Sequence, residues 1–535
     1  MTTTTMTPAR PGTQSAYAGF GELLRAEWIK FRTVRGWVIG TVVGALLIVG
    51  LGVLTTSNSL CGIQQGPTSS SQACPAPPAG PGGEWVTDES YFVRQPFGTM
   101  GGITVRVTSL TGLYSAHGGL AAGAAGGSAT AGMTPGVQPW SKAGIIIRAS
   151  TRPGSAYAAM MVTGSHGVRM QWDFTHDVAG IAGRVSAAAP RWLRLTRAGD
   201  VISGYDSADG THWSLVSTVT LPGLPKVSPA GLFAASPGYT VTSSSLGGSS
   251  TTGGPTLATV AFDHVSRQGA WPGGRWTGSA LSEGPAGNAL SASAQGFRQA
   301  GNTLTVSGSG DIAPEVGDTD TIRQALTGTF AGLIVMVVIG VMFITAEYRR
   351  GLIRTTLVAS PRRGRVLAAK AIVLAAVTFV AGLATAAIMV PLGEYLLHEN
   401  GNPIFGVSAL TWLRIVIGTG ALLAVAAVLA LAVGTVLRRS AAAVTVVIVG
   451  IVLPYLLATI PGILPGGAGE WLVRISPAAG FAVQQSLTQY PQVVADYSVA
   501  NGYFPLAPWA GFVVLCAWAA LALVLAGMLL RRRDA

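Results

Sequence analysis

The six histidines, His117, His166, His176, His212, His264 and His398, are the first places to look for chemistry, and their spacing removes most of it. No His-Glu-x-x-His occurs, so no helical face carries two zinc ligands beside a glutamate base. No Gly-x-Ser-x-Gly elbow presents a hydrolase nucleophile. The four lysines, Lys30, Lys142, Lys226 and Lys370, neither follow Gly nor precede Ser or Thr, so a Gly-x-x-x-x-Gly-Lys-Ser/Thr phosphate loop is absent. The chain thus offers no catalytic set, no metal site and no ATPase of that kind, and an enzyme is the least supported class. Weaker candidates remain. His166 and His176 flank one strand near Asp173 and Asp177, where edge-strand solvation is the plain alternative. Trp172, Trp192 and Trp213 have faces suited to stacking on sugar rings, with core packing the alternative. The 206–210 stretch reads as a hairpin turn or, less readily, a calcium loop.

The composition says what must hold these residues. Lys and Arg number 34 against 22 Asp and Glu, a net charge of +12, yet only 10% of residues are charged. Mean hydropathy is +0.48. A soluble domain carries roughly 25% charged residues, so part of the chain belongs in a membrane. Disorder, which needs low hydrophobicity and high charge, is excluded for the whole.

A bilayer-crossing helix needs about 20 mostly apolar residues. Six stretches qualify: 37–56, 326–346, 367–391, 413–437, 441–461 and 509–530. None carries Asp or Glu in its interior, and Lys370 sits within a turn of an end, where it can snorkel. The first span reads as an uncleaved signal-anchor, because no small-residue cleavage site closes a short apolar core. The segments 1–36, 347–366, 438–440 and 531–535, with Lys370, hold 17 Lys and Arg against four acids. By the positive-inside rule these segments and both termini are cytoplasmic. Residues 57–325 are then extracellular, and from Ser57 to Arg323 they carry 15 basic and 14 acidic residues. The net charge therefore lies on the cytoplasmic face against anionic lipid, and nothing supports nucleic-acid binding. Cys61 and Cys74, after the first span, would form a disulfide in an oxidising space or stand as two thiols.

After a 57–83 linker, the apolar period changes from helical to two over 84–265. Val168, Met170, Trp172 and Phe174 alternate with Arg169, Gln171 and Asp173, and Ile103, Val105 and Val107 with Thr104 and Arg106. Further strands are expected at 143–149, 157–163, 192–197, 201–205, 213–220, 231–235 and 258–265. This spacing reads as an antiparallel sandwich, interrupted by surface loops at 118–136 and 236–255. Residues 266–325 read as a connector back to the bilayer, with a short strand within 303–314. The runs Gln95-Pro96-Phe97-Gly98, 103–107, 142–148, 192–197 and 205–213 resemble the concanavalin A-like, laminin-G-like jelly roll. That resemblance implies two packed sheets and does not by itself imply sugar binding.

Before the first span, Leu24, Trp28 and Phe31 recur at i, i+4 and i+7, which suits an amphipathic helix in the headgroup layer. The loop 347–366 has a helical-looking piece, a Ser-Pro break and a second basic cluster. Its arginines suit an acidic groove on a partner. On these residues the membrane half resembles ABC-2-type transporter permeases. In that family an amphipathic helix precedes six spans, and the first cytoplasmic loop reads Glu-x-Arg-x-Gly-x-x-Arg-x-x-Leu followed by Ser-Pro-Arg-Arg. Here Glu347, Arg349, Gly351, Arg354, Leu357, Ser360, Pro361, Arg362 and Arg363 stand in those places, with Arg350 among them. The resemblance implies a coupling loop touching a separate ABC ATPase subunit that holds ATP and magnesium, and re-entrant helices within 462–508. It also implies paired permease subunits, a homodimer being preferred. The expected fold is thus an α-helical polytopic membrane protein with an inserted all-β jelly-roll domain. The expected function is the permease subunit of an ATP-driven exporter in the plasma membrane. The alternative is a membrane-anchored sensor or adhesion protein without transport.

Overall fold

The computed structural model describes residues 19–59, 76–115, 132–245, 248–281, 290, 292–316, 322–349, 363–404, 406–460, 464, 467–495, 497–499 and 501–532. Helix α1 (Phe20–Thr33) begins where the Gly19 N–H donates to Glu22 Oε2 at 3.2 Å, an acid in the first turn that suits the positive helix end. Val34 is extended and turns the chain into α2 (Arg35–Ser57), apolar all round as a bilayer-crossing helix must be.

The β-rich domain is built from two antiparallel sheets. One has strands β1 (Val86–Asp88) and β19 (Ile312–Pro314) lying outside it as a separate pair. That sheet runs β16-β2-β12-β5-β6-β7-β8, with β2 at Ser90–Phe97, β5 at Lys142–Arg148, β6 at Tyr157–Thr163, β7 at Val168–Trp172, β8 at His176–Ala179, β12 at Ser228–Ala235 and β16 at Thr277–Leu281. The other runs β11-β10-β9-β3-β15-β18-β17, with β3 at Met100–Ser115, β9 at Arg191–Ala198, β10 at Val201–Ser207, β11 at Ser214–Thr220, β15 at Thr256–Gly269, β17 at Gly296–Ala300 and β18 at Thr303–Gly308. Short β4 (Met133–Pro135) pairs with β3. Alternate residues of the two sheets, among them Ile103, Val105, Ile145, Met160, Leu193, Leu232 and Phe262, meet in one buried layer. The two-residue turn at Gly199-Asp200 forms as its composition suggests, Gly199 taking φ +66°.

Two sequence expectations change here. The 266–325 stretch is more than a connector with one short strand, because β16 and β17 join β18 in completing the two sheets. The 236–255 insert contains a hairpin, β13 (Tyr239–Ser245) against β14 (Gly248–Gly254), where a loop was expected.

Strands β5 and β6 are buried on both faces because β1 and β19 cover the outside of their sheet. These covering strands lead into and out of the domain, and they pair as a neck with Thr87 opposite Ala313. Two buried ion pairs pin the neck to the sheet. Arg148 Nη1 donates to Asp88 Oδ1 at 2.8 Å, and Lys142 Nζ to Asp311 Oδ1 at 2.6 Å.

Beyond the neck come α3 (Ile322–Ala325), α4 (Thr329–Arg349), α5 (Arg363–Glu399), α6 (Ala409–Leu437), α7 (Ser440–Thr459), α8 (Ala468–Ile475) and α9 (Pro508–Arg532). Among the described residues six helices, α2, α4, α5, α6, α7 and α9, are long and apolar enough to cross a membrane. Helix α5 passes through Pro391, where the sequence suggested an end; transmembrane helices tolerate proline because neighbouring groups re-satisfy the freed backbone. Helix α6 lies at the centre, packed against α4, α5, α7 and α9. A Cβ added at Gly382 on α5 would lie 2.9 Å from Gly420 Cα on α6, so these two backbones approach through glycine.

Candidate functional site

Helix α1 does not present Leu24, Trp28 and Phe31 together. Phe31 is buried, edge-on to Phe343 with centroids 5.7 Å apart, and Leu24 packs against the same cluster. Trp28 is 47% exposed. The third position turned toward the spans is instead Glu27, only 2% exposed.

A buried acid at that position requires a cation, and Lys370 supplies it. The sequence suggested a snorkelling lysine, yet Lys370 is 0% exposed. Its Nζ donates to Glu27 Oε2 at 2.7 Å and to Glu347 Oε1 at 2.6 Å, and lies 4.7 Å from the Phe343 ring centre. Lys30 completes the set, its Nζ 2.9 Å from Glu27 Oε1 and 3.3 Å from Glu347 Oε1. Two acids and two bases sum to zero, which lets the group stay buried. The four residues come from α1, the end of α4 and the start of α5. They therefore clamp together the helices on either side of the 347–366 loop.

Further contacts brace the same face. The Arg363 guanidinium donates from Nη1 to the Leu530 carbonyl at 2.6 Å, joining the start of α5 to the end of α9. The Arg438 guanidinium, in the turn between α6 and α7, lies 5.1 Å from the Tyr348 ring centre. Arg349 is exposed. Arg350, Gly351, Arg354, Leu357, Pro361 and Arg362 lie outside the described residues, as do Cys61 and Cys74.

The candidate ligand residues of the β-rich domain are not open platforms. Trp213 is clamped in its turn, Nε1 donating to Gly210 O at 3.1 Å while the Arg194 guanidinium covers its ring at 3.8 Å. Trp192 lies beneath that turn, where a Cβ at Gly210 (φ +80°) would come within 2.6 Å of the indole. Its ring also meets Arg106 and, edge-on, His264. Trp172 sits on the other sheet and stacks on His176 at 4.9 Å. His166 stacks on Trp140 and hydrogen-bonds Pro139 O rather than an Asp. In the 206–210 stretch the Asp209 carboxylate accepts the Thr211 and His212 N–H groups, and its bond to the His212 ring holds its pKa far below the usual range. Asp206 accepts the Ile181 N–H. Each acid is thus engaged in holding a turn. Among the described residues no three His, Cys, Asp or Glu side chains gather as metal ligands would.

The segment between α7 and α9 folds back into the bundle as α8 and a 3₁₀ stretch, Pro477–Gln484, whose residues from Ala478 onward are buried. Gln484 Nε2 donates to Thr419 Oγ1 at 3.0 Å and Thr329 Oγ1 at 3.3 Å, linking this segment to α6 and α4. The same segment touches the sandwich, Gln492 Nε2 donating to Thr175 O at 3.2 Å.

Residues 279–535 match the family model described as ABC-2 family transporter protein. This stretch belongs to the ABC-2 transporter family. The matched residues include five of the six spans and the 347–366 loop, while α1, α2 and most of the sandwich lie before them. ABC-2 permeases are membrane components of transporters rather than catalysts, and they usually work with a nucleotide-binding subunit. The chain is accordingly a multi-pass membrane protein with a permease-type membrane part. No curated protein matches it. Among solved structures, a functionally unknown protein from Saccharomyces cerevisiae is 17% identical, covering 35% of this chain and 76% of its own, with a TM-score of 0.20. A scytalido-glutamic peptidase is 9% identical over 42% of this chain and 98% of its own, with a TM-score of 0.23. A GH43 protein from Bacillus licheniformis is 10% identical over 25% and 24%, with a TM-score of 0.17. Scores this low carry no argument about activity.

Proposed function

We propose that the chain is the permease subunit of an ATP-driven exporter, acting as a homodimer with a separate ABC ATPase docked on the 347–366 loop. The family membership of residues 279–535 carries this reading, and the missing phosphate loop makes a second protein necessary for ATP hydrolysis. The ion cluster supports the mechanism. A force on the loop reaches α4 through Glu347 and α5 through Lys370, and these are tied to α1 through Lys30 and Glu27 respectively. Coupling requires different contacts in the two transport states, and the arginines at 349, 350, 354, 362 and 363, with Gly351, Leu357 and Pro361 shaping the loop, are the surface we assign to the ATPase.

In this reading the loop and both termini are cytoplasmic, and residues 57–325 are extracellular. The sandwich then stands over the outer face, held by its neck and by Gln492. A concanavalin A-like module there would bind a glycan or another envelope ligand, with Trp172, Trp192 and Trp213 only partly buried. The non-transporting alternative, a membrane-anchored sensor or adhesion protein, rests only on the size of the outer domain.

Copurification tests the reading. The chain expressed with a phosphate-loop ATPase should bring that ATPase down from membranes, and replacing Arg349, Arg354 and Arg362 together with Ala should release it. Retained association and turnover in the triple variant would remove the proposed coupling surface. A cysteine placed at 349 should react with an impermeant label only after the membrane is opened; labelling from outside would invert the topology.

A further inference from the structure

Helix α6 carries a single formal charge, Arg414, and it lies five residues inside the helix. At 1.5 Å per residue that is about 8 Å along the span. Its guanidinium has one hydrogen bond, from Nη2 to the Gln485 carbonyl at the end of the 3₁₀ stretch. Its Nε is buried and bonds nothing, and among the described residues no Asp or Glu pairs with it. A carbonyl supplies a dipole, not a counter-charge. A membrane arginine without an anion is costly, and the bond to Gln485 hinders the side chain from swinging outward to water.

The surroundings suit a particular anion. Arg414 lines an open groove of about 360 Å³ with Leu410, Thr411, Leu413, Ile417 and Trp509. Leu410, Arg414 and Ile417 follow one another at i, i+4 and i+7 and so form a stripe along α6. Leu410 is 79% exposed and Trp509 54%, so both stand on the outer surface of the helix bundle. Trp509 opens α9 at the level where indoles mark the headgroup boundary. The Thr411 hydroxyl accepts from Ser408 Oγ at 3.1 Å, which leaves its own O–H to donate. A fork of guanidinium donors matches phosphate oxygens, and apolar walls below it match acyl chains.

We propose that this groove binds a resident anionic phospholipid, Arg414 and Thr411 taking the phosphate and Leu410, Leu413, Ile417 and Trp509 lining its upper acyl carbons. The proposal rests on the six-span arrangement and not on ATP coupling, so neither transport nor ATPase activity is its readout. Native mass spectrometry of the full chain, titrated with phosphatidylglycerol or phosphatidylcholine in detergent, counts retained lipid directly. Wild type should hold phosphatidylglycerol about tenfold more tightly than phosphatidylcholine, the spacing of a single strong charged contact. Arg414→Gln should abolish that preference and Arg414→Lys keep part of it. Should Arg414→Gln fail to fold, Ile417→Trp fills the groove with the Gln485 bond intact and should also lose the lipid. Equal retention of the two lipids by wild type, or an undiminished preference in Arg414→Gln or Ile417→Trp, would overturn the assignment.

Discussion

Lys370, buried near the start of the third span, donates to Glu27 of α1 at 2.7 Å across 343 residues of sequence. The same ammonium holds Glu347 at 2.6 Å, so one lysine joins the three helices α1, α4 and α5. The sandwich is secured in a similar way, by buried ion pairs where the chain enters and leaves it.

Removing Lys370 should leave two buried carboxylates facing Lys30 alone. Lys370→Met should cost about 3–5 kcal/mol, the usual consequence of stranding a buried charge. Adding Glu27→Gln leaves Lys30 and Glu347 as a neutral pair and should recover much of that loss. Thermal unfolding of the detergent-solubilised protein reads both. A double variant as unstable as the sum of the singles would show that the pair is not coupled.

The neck should behave likewise. Arg148 and Asp88 are both fully buried, and Asp88 Oδ2 also accepts the Gly154 N–H at 2.9 Å. Arg148→Met should destabilise the outer domain by about 3–5 kcal/mol, with Arg148→Met/Asp88→Asn closer to wild type. Limited proteolysis of the neck between the sandwich and α3 checks this, and unchanged cleavage in Arg148→Met would refute it.

Glu89 makes the neck sensitive to pH. Burial, and then the nearby Glu315, Asp311 and Asp88, raise its pKa from 4.5 to about 7. A carboxyl raised on folding binds its proton more tightly in the folded state. It therefore costs nothing below pH 4.5, costs progressively more as pH rises toward 7, and levels off above that. The full difference is at most about 3 kcal/mol at 1.36 kcal/mol per unit, less the part screened by solvent. Outer-domain stability should fall from pH 5 to pH 7.5, and Glu89→Gln should flatten that slope; an equal slope in the variant would assign the titration elsewhere.

Gly382 offers a prediction of sign. Helix propensity alone favours Ala over Gly by about 1 kcal/mol. The added Cβ, however, would meet Gly420 Cα and Leu423 Cδ1, each at 2.9 Å. Overpacking of about 1–3 kcal/mol should win, so Gly382→Ala should lower the thermal midpoint. A higher midpoint would mean that α5 and α6 can separate at little cost.

Much of this architecture was legible before any coordinates. Val168, Met170 and Trp172 alternate with Arg169 and Gln171, and they form β7 because a strand must put every second residue in the core. The strand β18 was legible in the alternation of Leu304 and Val306, whereas β16 and β17 were not. Thr277–Leu281 and Gly296–Ala300 carry too few apolar residues to show a period, and they pair only because the edges of two sheets await them. The burial of Glu27 beside exposed Trp28 was not legible, since apolar spacing says nothing about a lysine on another helix. Arg414 gave no pattern at all: one arginine just inside a span looks like a boundary.

Hydropathy determined the number of spans, because insertion into a bilayer depends on local apolar length. The pairing of Lys370 with Glu27 and Glu347, the ion-pinned neck, and the lone guanidinium beside Trp509 were decided only in three dimensions. Each depends on which helices and strands come to lie side by side, and a buried charge is stable only where a distant part of the chain, or a ligand, arrives to meet it.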